Sequence, residues 1–315
     1  MPGYEALTQT AGIAPPGDRT LIEVTGSDRL SLVNSFCTND VKRLAAGQGC
    51  EAFVLNPQGK TIGHALIFHR GGSLLVDGAA GQAQTLIPHW ERYVVSEDVT
   101  FRDLSASETS LLLAGPKSAA ILEKVGLAVP SGLPGCAEGV FQGQSLLIKK
   151  TDYLGPETFF LQAPRAAASE LSTALLAAGA EQCDAASVES LRIEQGSPLF
   201  GLDLTDDNLP QEIGRDRQAI SFQKGCYLGQ ETVARIDALG HVNRLLIGLK
   251  IAGPVPAAGS PVLAEGKEVG RITSAANSPK LGATLALTLV RRAQAKVGTT
   301  LTVDSSPATV VPLPV

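Results

Sequence analysis

Residues 224 to 231, Lys-Gly-Cys-Tyr-Leu-Gly-Gln-Glu, gather a thiol, a cation, a phenol, an amide and a carboxylate in one short block. A cation near a thiol favours the thiolate, the nucleophilic and metal-ligating form, over a free thiol with a pKa of about 8.5. Lys224 is placed to do this for Cys226. Gly225 and Gly229 bracket the sulfur, so the backbone there can turn tightly or approach a ligand where a Cβ would obstruct. Tyr227, Gln230 and Glu231 complete the candidate reactive set. Arg235, about one helical turn on, offers a guanidinium to an anionic tail or a salt bridge to Glu231 or Asp237. Against this stands the plainer reading of a Gly-marked loop whose cysteine packs inward as a small hydrophobe.

The other cysteines, Cys37, Cys50, Cys136 and Cys183, are scattered, and the total of five is odd. No Cys-x-x-Cys or His-x-Cys pair exists, which argues against a disulfide framework, a structural zinc or a self-contained cluster. These four read as packing residues, no metal site is expected, and the pattern suits a reducing compartment. A net charge of −5 gives no global attraction to phosphate backbones, and 4% aromatics leave little for base stacking. No direct nucleic-acid partner is expected. The first residues lack a basic run followed by an apolar one, and no stretch is long enough to cross a bilayer, so a cytoplasmic protein with no membrane partner is the expectation.

A chain of 315 residues suggests about two domains. Residues 20–25 alternate as a strand, and Asp28 offers an N-cap for a short helix presenting Leu30, Val33 and Phe36. Residues 50–77 form a meander of apolar runs separated by Asn-Pro-Gln-Gly and Arg-Gly-Gly turns. Ala83, Leu86, Ile87, Trp90 and Val94 follow at helical spacing, with Trp90 in the core. A strand at 110–114 runs into Gly115-Pro116-Lys117-Ser118, a strand-to-helix connector that lacks P-loop spacing. Residues 127–143 read as a surface loop, 144–150 and 158–162 as strands, and 164–178 and 186–195 as helices. Arg192 and Glu194, two apart, point different ways, which predicts exposure for at least one. After Gly240, short strands punctuated by Gly, Pro and Ser suit a small antiparallel barrel.

Leu191 to Gly196, Gly201-Leu202-Asp203, Pro210-Gln211-Glu212, Ser221-Phe222 and the 224–235 block together resemble the YgfZ family. Those proteins are folate-binding relatives of the glycine cleavage system T-protein, an aminomethyltransferase, and are linked to iron–sulfur protein maturation and tRNA modification. Thr38 to Val41, Asn56 to Lys60, Asp98-Val99, Gly115 to Lys117 and Arg244 through Ser274 extend the resemblance over most of the chain. It implies an α+β fold: a T-protein-like cloverleaf of two interwoven α+β domains with a C-terminal antiparallel β-barrel around a central hole. Residues 1–240 would form the first region, with 1–50 and 100–240 interleaved around 51–100, and 241–315 the barrel. It implies tetrahydrofolate or a folate derivative as cofactor, with Arg235, Asn39, Asn56, Gly225 and Gly229 as candidate contacts. Iron–sulfur assembly proteins or client enzymes would be the partners.

The matching positions also differ from the aminomethyltransferases. Gly59 to Ala65 holds no carboxylate, and His64 falls where the transferases carry an Asp that serves methylamine transfer. Phe160 stands in place of the Glu that holds their pterin ring. The resemblance therefore implies an accessory protein dependent on Cys226, as a transient ligand, a nucleophile toward a one-carbon unit, or a redox thiol. The alternative is a tetrahydrofolate-dependent aminomethyltransferase or demethylase acting on an unidentified amine.

Overall fold

The apolar alternation of residues 49–79 builds the expected meander, Gly49–Leu55, Thr61–His69 and Leu74–Ala79, each strand antiparallel to the next. Arg19–Thr25 adds beside the last of these and Thr100–Asp103 closes the edge, giving a five-stranded sheet. The computed structural model describes residues 2–315. One face of this sheet is covered by the helices Arg29–Ser35 and Ala83–Glu91, with Trp90 fully buried between them. Asp28 does not cap the first of these helices through its side chain. Its Oδ2 instead accepts from the backbone N–H of Asp98, tying the helix start to the edge-strand connection.

A six-stranded sheet forms the second layer, ordered Glu181–Gln182, Gly12–Gly17, Glu108–Ala114, Thr158–Pro164, Gln144–Thr151 and Gly135–Phe141. Its core packs against the helices Ser118–Lys124 and Ala168–Ala177. Residues 135–141, read from their Gly content as loop, form an edge strand. Beyond a bridge from Gly135 to Gln48 they pair with one neighbouring strand alone, which tolerates glycine and exposed positions that a central strand would not.

The chain passes from one sheet to the other at Asp18, between Gly12–Gly17 and Arg19–Thr25. Residues 19–103 thus supply one sheet, a different interleaving from the division of 1–50 and 51–100 expected from sequence. Leu204, Ile213, Ile220, Tyr227 and Val233 then return to cover the Phe53 and Leu55 face of the five-stranded sheet. Beyond Gly240, six strands close into a barrel, sealed where Arg244–Ile251 pairs with Ser306–Val311.

Arg192 and Glu194, on the helix Ala185–Gln195, are both buried, against the expectation that one would face solvent. Each has partners that explain its burial. Arg192 donates to Glu189, to the Ser197 carbonyl, to Asp203 at 2.7 Å and to Ser274 on the barrel at 2.7 Å. Asp203 accepts in addition from Thr273 and Ser274. Glu194 accepts from the Tyr4 hydroxyl at 2.6 Å and from Ser278. A buried charge with every donor or acceptor engaged is tolerated; a free one is not.

Candidate functional site

A small cavity of about 60 Å³ lies where the two sheets and the loop after Gln195 meet. The five-stranded sheet contributes Glu51, His64, Asp77 and Arg19; the other contributes Asp152 and Tyr153; the loop brings Leu199 and Phe200, and Arg215 closes one side. Alternation puts Glu51 and His64 on the inner face, because residues of one parity along paired strands share a face. Arg19, Tyr153, Leu199 and Phe200 also line a second, larger hollow of about 610 Å³ that runs past Phe160 and Glu189, so the two adjoin along these shared walls.

The buried carboxylates of this space are fully engaged. Glu51 accepts from Nε and Nη2 of Arg215 and, through Oε1, lies 2.7 Å from His64 Nε2. Burial opposes ionisation of Glu51, but hydrogen bonds and charge from His64 and Arg215 outweigh it and hold the carboxyl at about 2. Asp77 bonds Arg19 and, at 2.5 Å, Lys149 of the opposite sheet, a bridge between the layers. Burial likewise opposes its charge, and the two cations bring it below the ordinary carboxylate range. Lys149 also donates to Ser110 and Gln162. Burial pushes its ammonium down, with Asp77 opposing. The Arg19 guanidinium carbon lies 4.5 Å from the centre of the Phe160 ring, a cation–π contact at the junction of the two hollows. Asp152 is the looser carboxylate: its side chain is 42% exposed and its contact to Arg215 is 3.4 Å.

The 224–231 block lies elsewhere. Its helix, Gln230–Leu239, starts after Gly229, whose φ of +79° is a left-handed conformation. A Cβ there would sit 2.7 Å from the Asn56 carbonyl, so this position requires glycine for two reasons. Gly225 has open space around it. Tyr227 is buried against the five-stranded sheet, and Gln230 accepts from the Tyr227 N–H through its side chain.

Lys224 does not serve Cys226 as the sequence suggested. Its ammonium is buried and donates to the carbonyls of Asn34, Cys37 and Asn39 at 2.6–2.8 Å, because an inward lysine needs acceptors for its donors. The thiols within its field are Cys37 and Cys50.

Cys226 is exposed, the other four cysteines are buried, and Cys226 lines neither hollow. Glu231 and Arg235 are exposed on the same helix. Asn39 donates to the carbonyls of Glu51 and Gln218, and Asn56 accepts from Gln58 and Lys60 within its turn. Both amides expected to face the central hole are thus occupied in shaping loops. None of Arg235, Asn39, Asn56, Gly225 and Gly229 lines the two hollows.

The residues that converge are Arg19, Glu51, His64, Asp77, Asp152 and Arg215. Glu51 and Asp77 carried a signal: each is a lone carboxylate inside an otherwise apolar strand, which demands an internal partner. Arg215 is 164 residues from Glu51, and no spacing links them.

Residues 4–224 match the GCVT N-terminal domain, and residues 244–315 match the Glycine cleavage T-protein C-terminal barrel domain. An aminomethyltransferase of Rippkaea orientalis is 30% identical over 314 residues, covering 96% of this chain and 84% of its own. One of Geobacillus kaustophilus is 30% identical over 324 residues, covering 99% and 88%. The crystal structure of the glycine cleavage system aminomethyltransferase T from Bartonella henselae has a TM-score of 0.89 at 22% identity, covering 99% of this chain and 88% of that one. The α+β architecture with its terminal barrel is therefore the one the sequence implied.

Proposed function

The chain belongs to the glycine cleavage T-protein family, and from that membership we propose that it is a cytoplasmic YgfZ-type accessory protein. It holds a reduced folate in the central space and supports iron–sulfur protein maturation, and the tRNA modification that depends on it, through Cys226. The observation that carries this reading is the engagement of the buried carboxylates. Glu51 and Asp77 each answer two partners, so neither is free to hold the positively charged nitrogen of an amine donor.

The lining suits a folate. Tyr153, Leu199 and Phe200 offer flat and apolar walls, Asp152 offers an acceptor to ring N–H donors, and Arg19 and Arg215 offer guanidiniums to a carboxylate tail. Bound there, the folate would supply a carrier for a one-carbon unit. Cys226, outside the hollows and exposed, works toward a partner. One thiolate cannot hold a cluster, so assembly proteins or client enzymes supply the remaining ligands.

A second reading, a tetrahydrofolate-dependent aminomethyltransferase or demethylase acting on an unidentified amine, is favoured by the 30% identity to enzymes bearing that name. The two separate in one assay. Calorimetry with tetrahydrofolate is expected to show binding in both the native chain and Cys226→Ser. Reactivation of an apo iron–sulfur enzyme is expected from the native chain alone. Repeated formation of 5,10-methylenetetrahydrofolate from a panel of methylamines would overturn the first reading in favour of the second, and absence of folate binding would overturn both.

A further inference from the structure

We propose that His64 is a proton-transfer residue of the central cavity, set by Glu51 to bring water onto an electrophilic one-carbon unit of a bound folate. The inference rests on the folate reading above and goes beyond it, since it assigns a chemical step to a residue pair remote from Cys226. Arg215 holds both oxygens of Glu51, and Glu51 Oε1 lies 2.7 Å from His64 Nε2. An ionised carboxylate can only accept, so Nε2 carries a proton, and whenever the ring sheds its second proton Nδ1 presents a lone pair. The ring is fixed a second time by stacking on Phe53, centroids 4.9 Å apart and planes 24° from parallel. Among the described residues Nδ1 has no partner, and it is not one of their sealed polar atoms, while His64 lines the cavity. The free nitrogen therefore opens onto the space the ligand would fill.

A carboxylate that orients one ring nitrogen while the other faces the reaction space is the geometry of a general base. An imidazole does not stabilise a cationic amine as a carboxylate does; its aptitude is to take a proton from water and give it back. The substrate class that fits is a folate whose extra carbon bridges two nitrogens as a cationic amidinium, the 5,10-methenyl form. Asp152, half-exposed on the opposite wall, offsets that positive charge. The water oxygen bonds to the carbon as one water proton passes to Nδ1. One carbon–nitrogen bond then breaks with its electron pair on nitrogen, and that nitrogen receives the proton from Nδ1. The second water proton leaves to solvent. Methenyl-folate and water become formyl-folate and a proton, and nothing is oxidised or reduced.

The test combines three measurements on the full chain. Loss of the methenyl chromophore is followed with the native protein, His64→Gln and His64→Ala. Tetrahydrofolate affinity is measured in each, and nitrogen NMR of histidine-labelled protein follows the His64 ring on ligand addition. The native chain is expected to accelerate hydration above buffer, and His64→Gln to lower the rate at saturation by about 100- to 10,000-fold. Affinity should change far less than rate. Free imidazole should restore part of the His64→Ala rate, which a merely structural histidine would not allow, and the His64 Nδ1 resonance should move when the ligand binds. Folate binding without acceleration in the native chain overturns this inference and leaves the folate reading standing. So does a His64→Gln rate equal to native. Failure to bind any folate overturns the folate reading and this inference with it.

Discussion

Glu51→Gln keeps the shape of the side chain and removes its charge, so it isolates what the carboxylate contributes. The carboxyl is held at about 2 in the fold against an ordinary 4.5. At about 1.4 kcal/mol for each tenfold difference in proton affinity, that gap corresponds to about 3 kcal/mol of folding free energy. The folded value is the depressed one, so the contribution is fully present above about pH 4.5 and is lost as pH falls from there through about 2. At pH 7 the variant also leaves the Arg215 guanidinium, only 13% exposed, without its main partner. Breaking a buried pair in this way costs about 3–5 kcal/mol. Guanidinium unfolding followed by the fluorescence of Trp90 gives the readout. This single tryptophan packs in the core of the sheet that carries Glu51. The gap between native and variant should be about 3–5 kcal/mol at pH 7 and should narrow steadily below pH 4.5. A gap that is the same at pH 3 as at pH 7, or one below about 1 kcal/mol throughout, would refute the assignment of Glu51 as an ionised clamp.

Asp77→Asn should cost about 3–5 kcal/mol, because Arg19 and Lys149 lose their shared counter-charge, whereas Lys149→Met should cost less, since Asp77 keeps Arg19; denaturation midpoints of the two decide the order. A thiol reagent should label Cys226 alone in the native protein and five cysteines in denaturant, counted by mass spectrometry. Burial, with Asp237 nearby, pushes the Asp216 carboxyl up to about 6. Its raised folded value means that the protonated form favours folding and that stability is lost as pH rises through about 6. Asp216→Asn should therefore raise the melting temperature at pH 8 and leave it unchanged at pH 4.

Periodicity gave the meander, the Trp90 helix, the helix Ala185–Gln195 and the barrel, because each buries a face whose repeat is written in its own residues. It missed the strand Gly135–Phe141, whose ladder comes from a neighbour and whose composition is that of a loop. The 224–231 block was legible as a motif, and the glycine at 229 for the conformation it adopts. What Lys224 does was not: its acceptors are carbonyls of residues 34 to 39, brought close by tertiary folding alone. His64 stood out by its position against the transferases. Its connection to Glu51 and Arg215 needed the strand pairing, since register sets which side chains meet across a sheet and no local pattern encodes an arginine arriving from a later loop.

The guanidinium of Arg192 bears on how a molecule reaches the interior. It grips its own helix, the loop carrying Leu199 and the barrel strand with Ser274 at once, so these parts share a single anchor. A barrel fastened there can swing only if these hydrogen bonds break, which holds the opening beside Leu199 to one width. Visitors are then sorted by cross-section, and their residence time is governed by side chains at the rim. Bulkier analogues should arrive and depart more slowly in equal measure, so the penalty appears in the kinetics while the equilibrium is largely spared.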